Sequence, residues 1–337
     1  MRDATDGERP PSRRDILGWI LGWAGGLATL PLAGEAAAQA FPSRPIRIVV
    51  PFPAAGGPLD TAARTAAEAF RIAFGHAGII ENKAGAGGVI GAESVFRAAP
   101  DGHTLLCGPP FMFAVGHLIN SKATFDARQF EPMSMVAQYP AILAARSNLP
   151  INTPAELIAH ARANPGKLSY GSQGVGTIGH LTLEQIKHVA KVDILHVPFR
   201  GSAPAVTELM SGNIDVLADT ELNTRGAIEA GKIKPIGVAT PTRMKSFPNV
   251  PAIGEVLPGF ESITAVGVVA PPGTPTEVTR ALADVIRQAL ARAELRQSLE
   301  ALGLEPLGTT PDGMRSYLAG IEARWAPVIE AARIRIE

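Results

Sequence analysis

The sequence predicts an α/β fold built from two mainly parallel sheets. Three observations support this prediction: strand-like and helix-like segments alternate, the strand-like segments are almost continuously apolar, and the chain has 337 residues. Strands buried on both faces of a parallel sheet read as unbroken apolar runs. A chain of this length favours two domains over one.

The first forty residues predict an export signal peptide of the twin-arginine type. Arg13 and Arg14 precede a mostly apolar stretch, residues 16–33, and Ala38-Gln39-Ala40 fits an A-x-A cleavage site. An uncleaved membrane anchor is the alternative, because the apolar stretch is nearly long enough to span a bilayer. Its glycines, Pro31 and the cleavage site favour removal. We therefore expect a mature chain from residue 41 that works outside the cytoplasm.

Composition excludes several classes of function. The chain carries 31 basic and 31 acidic residues, so it has no basic excess for nucleic acid. Cys107 is the only cysteine, which excludes an intrachain disulfide and the usual cysteine-based zinc sites. We expect Cys107 to be a small buried apolar residue. The seven histidines form no H-E-x-x-H or H-x-H pair, and we predict no cofactor.

The first half of the mature chain reads as strands joined by helices. The apolar runs predict strands at residues 46–52, 79–82, 104–107, 133–137 and 141–145. Periodic segments predict helices at 60–74 and 91–99. Thr153-Pro154-Ala155-Glu156 predicts the start of another helix, with threonine as cap, proline in the first turn and glutamate closing a capping box.

The second half repeats this alternation. Strands are predicted at residues 168–171, 194–198, 214–218 and 236–239, and helices at 179–190, 203–211, 221–230 and 311–333. Gly212 and Gly231 stand where helices commonly end. Thr274-Pro275-Thr276-Glu277 resembles the segment at Thr153, so we expect the same cap at the start of a helix that runs to about residue 292.

Four glycine-rich loops lie between a strand and a helix. They are PAAGGPL (53–59), NKAGAGGVIG (82–91), YGSQGVGTIGH (170–180) and FRGSAPA (199–205). The N-terminus of a helix offers unpaired N–H groups and favours anions. In open parallel sheets such loops gather at the carboxyl ends of the strands, where ligands bind. The alternative is that glycine serves turn geometry alone.

A dinucleotide site and an active site are less well supported. Residues 174–179, GVGTIG, match G-x-G-x-x-G, but Asp193 precedes the next strand, whereas the fingerprint needs an acid after it. Ser172 lacks a G-x-S-x-G context, and His180 has neither a nucleophile nor an orienting partner in the sequence. We expect His180 to fix its loop or to contact a polar ligand. Asp60 either caps its helix or ties its loop, and Asp219 either faces a cleft or caps the helix near Glu221.

Several segments in fixed order resemble one protein family. They are FPSRPIRIVVPFPAAGGPLD, ENKAGAGGVIGAESVFRAAPDGHTLL, NPGKLSYGSQGVGTIGHL, VPFRGSAPA and PPGTP. They resemble the solute-binding proteins of tripartite tricarboxylate transporters, called the Bug family. The resemblance extends from Phe41 to the C-terminus.

The resemblance implies a two-lobed, periplasmic-binding-protein-like (type II) fold, with two sheets joined by crossover strands. It places lobe 1 at residues 41–142 and 262–337 and lobe 2 at 143–261. It further implies a monomeric periplasmic protein that is not an enzyme. Such a protein binds a small carboxylate (a di- or tricarboxylate, an acidic amino acid or an aromatic acid) and delivers it to a membrane permease. Backbone amides, hydroxyls and water hold the carboxylate in this family, usually without an arginine.

Where the motifs match, the resemblance assigns the family's ligand contacts to three loops and one aspartate of this sequence. They are Phe52, Pro53, Ala54, Ala55, Gly56 and Gly57 with Asp60; Ser172, Gly174, Gly176 and Thr177 with His180; Gly201, Ser202 and Ala203; and Asp219. The first loop is one residue longer than the family pattern, and the apolar residues 108–113, GPPFMF, replace a more polar stretch. This stretch is therefore either core, or Phe111 or Phe113 lines the cleft and selects an aromatic or longer-chain acid.

Two other functions remain open from the sequence. One is an extracytoplasmic hydrolase or NAD-type dehydrogenase on similar α/β lobes. The other is a ligand sensor whose closed form docks on a signalling receptor.

Overall fold

A computed structural model describes residues 41–54, 57–76, 78–120 and 124–335. The predicted signal peptide lies outside these ranges. The chain from Arg44 onward forms one compact unit. Within the described ranges, no helix combines the length and apolar character needed to cross a bilayer.

Strands and helices alternate along this unit. The elements up to the longest strand are β1 (Arg47–Val50), α1 (Pro58–Phe74), β2 (Ile79–Asn82), α2 (Val89–Phe96), β3 (Thr104–Gly108), α3 (Pro110–Ala114), α4 (Gly116–Ile119) and β4 (Glu131–Arg146). The next group is α5 (Pro154–Ala163), β5 (Ser169–Ser172), α6 (Ile178–Ala190), β6 (Leu195–Pro198), α7 (Ser202–Ser211), β7 (Val216–Thr220), α8 (Glu221–Glu229) and β8 (Ile233–Val238). The chain then forms β9 (Ile263–Ala270), α9 (Thr276–Leu290), α10 (Ala293–Glu300), β10 (Glu305–Pro306) and α11 (Pro311–Ala331).

The strands form two parallel groups connected by antiparallel strands. Their order is β2-β1-β3-β9-β4-β7-β5-β6, and β8 and β10 also pair with β4. β1 is parallel to β2 and β3, and β5 is parallel to β6 and β7. β9, which the sequence analysis did not predict, lies antiparallel between β3 and β4. The carboxyl ends of β1, β2, β5 and β6 therefore lead into the four glycine-rich loops.

β4 is one long strand that belongs to both groups. The sequence predicted two short strands here. Residues 131–140 pair with β9, and residues 141–146 pair with β7 and β8. Tyr139 is opposite Thr264, and Ile142 is opposite Asp219. Pro140 lies where the strand changes partners. The proline accounts for the prediction of two short strands in place of one.

Separate apolar clusters fill the two groups. Leu143, Tyr170 and Ile236 belong to the cluster around the second half of β4. Leu106 and Val269 belong to the cluster around β3 and β9. Cys107 is also buried, as the sequence predicted, and burial raises the pKa of its thiol.

The two similar helix starts behave differently. The Thr153 hydroxyl accepts from the Glu156 amide at 3.2 Å, as predicted, while the Glu156 carboxylate accepts from the amide of Asn152 at 2.6 Å. The predicted second cap at Thr274 is wrong, because α9 begins at Thr276 and no side chain caps it. The Thr274 hydroxyl instead donates to the carbonyl of Pro271 at 2.8 Å.

Candidate functional site

A cleft of about 550 Å³ lies where four helices begin. The starts of α1, α6, α7 and α8 form much of its wall, and β4 and β9 contribute one residue each. The lining residues are Phe52, Pro53, Gly57, Pro58, Leu59, Asp60, Pro109, Phe111, Tyr139, Gln173, Thr177, Ile178, Arg200, Gly201, Ser202, Ala203, Pro204, Val206, Asp219, Thr220, Asn223 and Thr264.

The start of α7 offers several hydrogen-bond donors to this cleft. Gly201 is the N-cap with φ 113° and ψ 176°, a conformation that favours glycine, and no side chain caps the helix. The amides of Ser202 and Ala203 therefore have no acceptor within the helix. The Ser202 hydroxyl accepts from the Asn223 side-chain amide at 2.8 Å. Such a cluster of donors at a helix N-terminus suits an anion.

Asp219 lies at the end of β7, beside this cluster. It is 1% exposed, and its Oδ1 accepts from the Thr220 amide at 2.7 Å and from the Asn223 side chain at 3.0 Å. Its Oδ2 is buried without a hydrogen-bond partner in the described part of the chain. Burial raises the pKa of this carboxyl, against the hydrogen bond from Asn223. The cap of α8 is the Thr220 hydroxyl, so the alternative role of Asp219 as that cap does not apply.

The first loop is tied to α1 by one side chain. The Asn82 side-chain amide donates at 3.1 Å to both the Phe52 carbonyl and the Asp60 carboxylate. Gly57 is the N-cap of α1, and Asp60 lies in its first turn. Asp60 therefore ties its loop, one of its two expected structural roles, and it also lines the cleft. Ala54 is exposed and does not line the cleft, whereas Ala55 and Gly56 lie outside the described residues.

Only part of the second loop reaches the cleft. Thr177 lines it, but Ser172, Gly174, Gly176 and His180 do not. The His180 Nδ1 accepts from the Gly176 amide at 3.0 Å, so this side chain fixes its loop.

A stack of three rings supports that loop from behind. The ring centroids of Tyr170 and His196 are 4.7 Å apart, and those of His196 and His180 are 4.1 Å apart. Burial lowers the pKa of His180 to about 3 and that of His196 to about 4. Both rings are therefore neutral near pH 7, which agrees with the acceptor role of the His180 Nδ1.

Ser172 and His196 form the closest approach to a catalytic pair. The Ser172 Oγ lies 2.7 Å from the His196 Nε2. Ser172 is, however, 0% exposed and absent from the cleft lining, so a substrate in the cleft has no path to its oxygen. The geometry gives no support to the hydrolase alternative.

Aromatic side chains form another part of the wall. Phe111 lines the cleft and also a neighbouring cavity of about 50 Å³, whereas Phe113 is buried in the core. A Cβ at Gly88 would lie 3.2 Å from the Phe52 ring, so the loop NKAGAGGVIG packs against Phe52, and none of its residues lines the cleft. An apolar ligand surface thus has two rings to pack against.

Sequence reasoning missed several lining residues with polar side chains. Arg200 is the only basic side chain among the lining residues that the structure describes. It makes no hydrogen bond or ion pair with any described residue. Its position next to Gly201, in a predicted ligand loop, could have identified it as a lining residue from the sequence. The others are Tyr139, Gln173, Thr220, Asn223 and Thr264.

Comparison with known proteins identifies the family. The family model described as "Tripartite tricarboxylate transporter family receptor" matches residues 62–334. The chain is 36% identical over 299 residues to the "UPF0065 protein in tcbD-tcbE intergenic region" of Pseudomonas sp. strain P51, covering 88% of each chain. It is 30% identical over 314 residues to BugT of Bordetella pertussis, covering 92% of this chain and 96% of BugT.

Solved structures agree with this result and confirm the predicted fold class. An R. palustris protein solved with adipate has a TM-score of 0.81 at 33% identity, covering 88% of this chain and 99% of the other. MatC from Rhodopseudomonas palustris with bound malate has a TM-score of 0.77 at 31% identity, covering 86% and 100%. This chain therefore belongs to the Bug family, the solute-binding receptors of tripartite tricarboxylate transporters.

Proposed function

We propose that this protein captures a small carboxylate in the periplasm and delivers it to the permease of a tripartite tricarboxylate transporter. One observation carries the proposal: the uncapped start of α7, the Ser202 hydroxyl and the unpaired Arg200 line the same cleft. The two structural neighbours were solved with adipate and malate, both of which are carboxylates. We extend the binding of a carboxylate from these neighbours to this chain.

The proposed binding mode replaces water by donors that the fold has already oriented. The amides of Ser202 and Ala203 and the Ser202 hydroxyl donate to the carboxylate, and Arg200 supplies the positive charge. A hydrogen bond to a charged group contributes about 1.5–3 kcal/mol. Three or four such bonds, less the cost of ordering the ligand, support micromolar affinity, which corresponds to about −8 kcal/mol.

Closure of two lobes completes the proposed mechanism. We assign residues 41–142 and 262–335 to one lobe and 143–261 to the other. β4 changes its partner from β9 to β7 and β8 after Pro140, so a hinge there leaves the pairing with each set of strands intact. A ligand that contacts both lobes stabilises the closed form, which then docks on the permease.

A carboxylate panel tests the function. Purified protein is unfolded, freed of carried-over ligand and refolded, and its melting temperature is measured with di- and tricarboxylates, acidic amino acids and aromatic acids. A true ligand at a hundredfold excess over Kd adds about 2.7 kcal/mol of stability by linkage. A panel without any shift contradicts the proposal.

Two serines of the same helix provide matched variants for the site. Ser202→Ala removes a donor in the cleft and should weaken the best acid of the panel about tenfold or more. Ser211→Ala, at the exposed far end of α7, should leave the affinity unchanged. Equal effects of the two variants would mean that the carboxylate binds elsewhere.

A further inference from the structure

Two hydroxyl-bearing residues lie opposite each other where β4 meets β9. Tyr139 and Thr264 are direct partners in the antiparallel register, and both line the cleft. Side chains of directly opposed residues project from the same face of a sheet, with Cβ atoms about 5 Å apart. We call these two side chains the hydroxyl pair.

The hydroxyl pair lacks partners within the protein. Each residue is 7% exposed, and neither hydroxyl makes a hydrogen bond with any residue that the structure describes. A hydroxyl without a partner in the protein bonds to water or to a ligand. Because both side chains line the cleft, its contents are the available source of a partner.

The phenol of Tyr139 is held in its protonated form. Burial and the nearby Asp219 both raise its pKa. At neutral pH it therefore has a proton to donate, and the Thr264 hydroxyl can donate or accept. A ligand oxygen can accept a hydrogen bond from either hydroxyl of the pair.

We infer that the hydroxyl pair is a second polar subsite, which binds an oxygen of the ligand outside the carboxylate held at the start of α7. This inference rests on the proposed function and adds a specificity determinant to it. The oxygen belongs to a hydroxyl or carbonyl group or to a second carboxylate. The preferred ligand is thus a carboxylate with another oxygen function, and the rings of Phe52 and Phe111 pack against the carbon skeleton between the two.

Matched acids separate the second oxygen from the first carboxylate. Hexanoate, 6-hydroxyhexanoate and adipate share chain length and one carboxylate but end in a methyl, a hydroxyl or a second carboxylate. Benzoate, 4-hydroxybenzoate and terephthalate form the aromatic series. Titration calorimetry with the refolded wild type measures each Kd, and the best acid of the broad panel is measured alongside. We expect the oxygen-bearing acids to bind more tightly than the plain acid of their series.

Isosteric variants connect this preference to the hydroxyl pair. Tyr139→Phe and Thr264→Val should each weaken the best oxygen-bearing acid roughly threefold to tenfold and leave the plain acid unchanged. Thr264→Ser, which keeps the hydroxyl, should retain the preference. Melting temperatures without ligand identify any variant that has lost its fold, and the remaining variants of the pair then carry the test.

The outcomes separate this inference from the proposed function. If carboxylates bind but the variants weaken plain and oxygen-bearing acids equally, or weaken neither, the second subsite is refuted and the proposed function stands. If no carboxylate of any series binds the wild type, both fail. A preference for the hydroxyl acid identifies a neutral group at the subsite, and a preference for the diacid identifies a second carboxylate.

Discussion

Removing the Tyr170 hydroxyl should destabilise the protein by about 1.5–3 kcal/mol, the value of a hydrogen bond to a charged group. Tyr170 is 0% exposed, and its hydroxyl donates to the Glu184 carboxylate at 2.6 Å. Lys187 donates to the same oxygen at 2.6 Å, so Tyr170→Phe leaves this buried carboxylate oxygen with one donor in place of two. The ring remains, and the stack on His196 is preserved.

Denaturant and thermal unfolding measure this loss. A change of 1 kcal/mol shifts the melting temperature by about 2–4 °C in proteins of 150–250 residues, so a loss of about 1.5–3 kcal/mol should lower it by about 3–12 °C. Tyr317→Phe is the matched control, because the half-buried Tyr317 makes no hydrogen bond with any described residue. If Tyr170→Phe proves no more destabilising than Tyr317→Phe, the Tyr170–Glu184 contact does not stabilise the support behind the second loop.

Three further predictions concern charge, glycine and pH. Arg200→Gln should weaken carboxylate binding up to about tenfold, most strongly at low salt, while the exposed Arg64→Gln leaves calorimetric affinities unchanged. Gly91→Ala should lower the melting temperature, because its Cβ would lie 2.6 Å from a backbone oxygen, whereas Gly226→Ala, within α8 and with nothing within 4 Å, should stabilise by about 0.5–1 kcal/mol. Because the pKa of His180 falls from 6.5 to about 3 on folding, the unfolded chain takes up the proton first. Stability should therefore decrease as pH falls from about 6.5 towards about 3. His180→Asn should flatten that pH dependence in unfolding titrations, and an unchanged slope would contradict the assignment.

Local signals were enough to predict the elements that frame the site. Thr153 is the cap, and a proline and a glutamate follow it within three residues, so the local sequence alone specifies this helix start. The loop at Gly201 follows a strand and precedes a helix, which is sufficient to place its amides at a sheet edge. Thr274 has the same local signal, yet its hydroxyl bonds to Pro271 and the helix begins two residues later. The local backbone geometry overrode the pattern there.

Contacts between distant segments could not be predicted from the local sequence. Tyr139 meets Thr264 only because β9 returns between β3 and β4, and no local pattern specifies that register. The hydrogen bond from Asn223 to Ser202 likewise depends on how α8 sits beside α7. Tyr139, Thr264 and Asn223 lie at positions of this kind, whereas Gln173 and Thr220 directly follow Ser172 and Asp219, two residues that the sequence predicted for the site.

The position of β9 also determines when the fold can be completed. β3 and the first half of β4 are translated early, yet the strand that fills the space between them comes from residues 263–270. Until that segment is made, the early strands have exposed edges, and nascent chains with such edges are prone to aggregate. Pairing of segments so far apart is also slow. A shortened chain that stops before residue 263 should therefore leave β3 and the first half of β4 without their common partner.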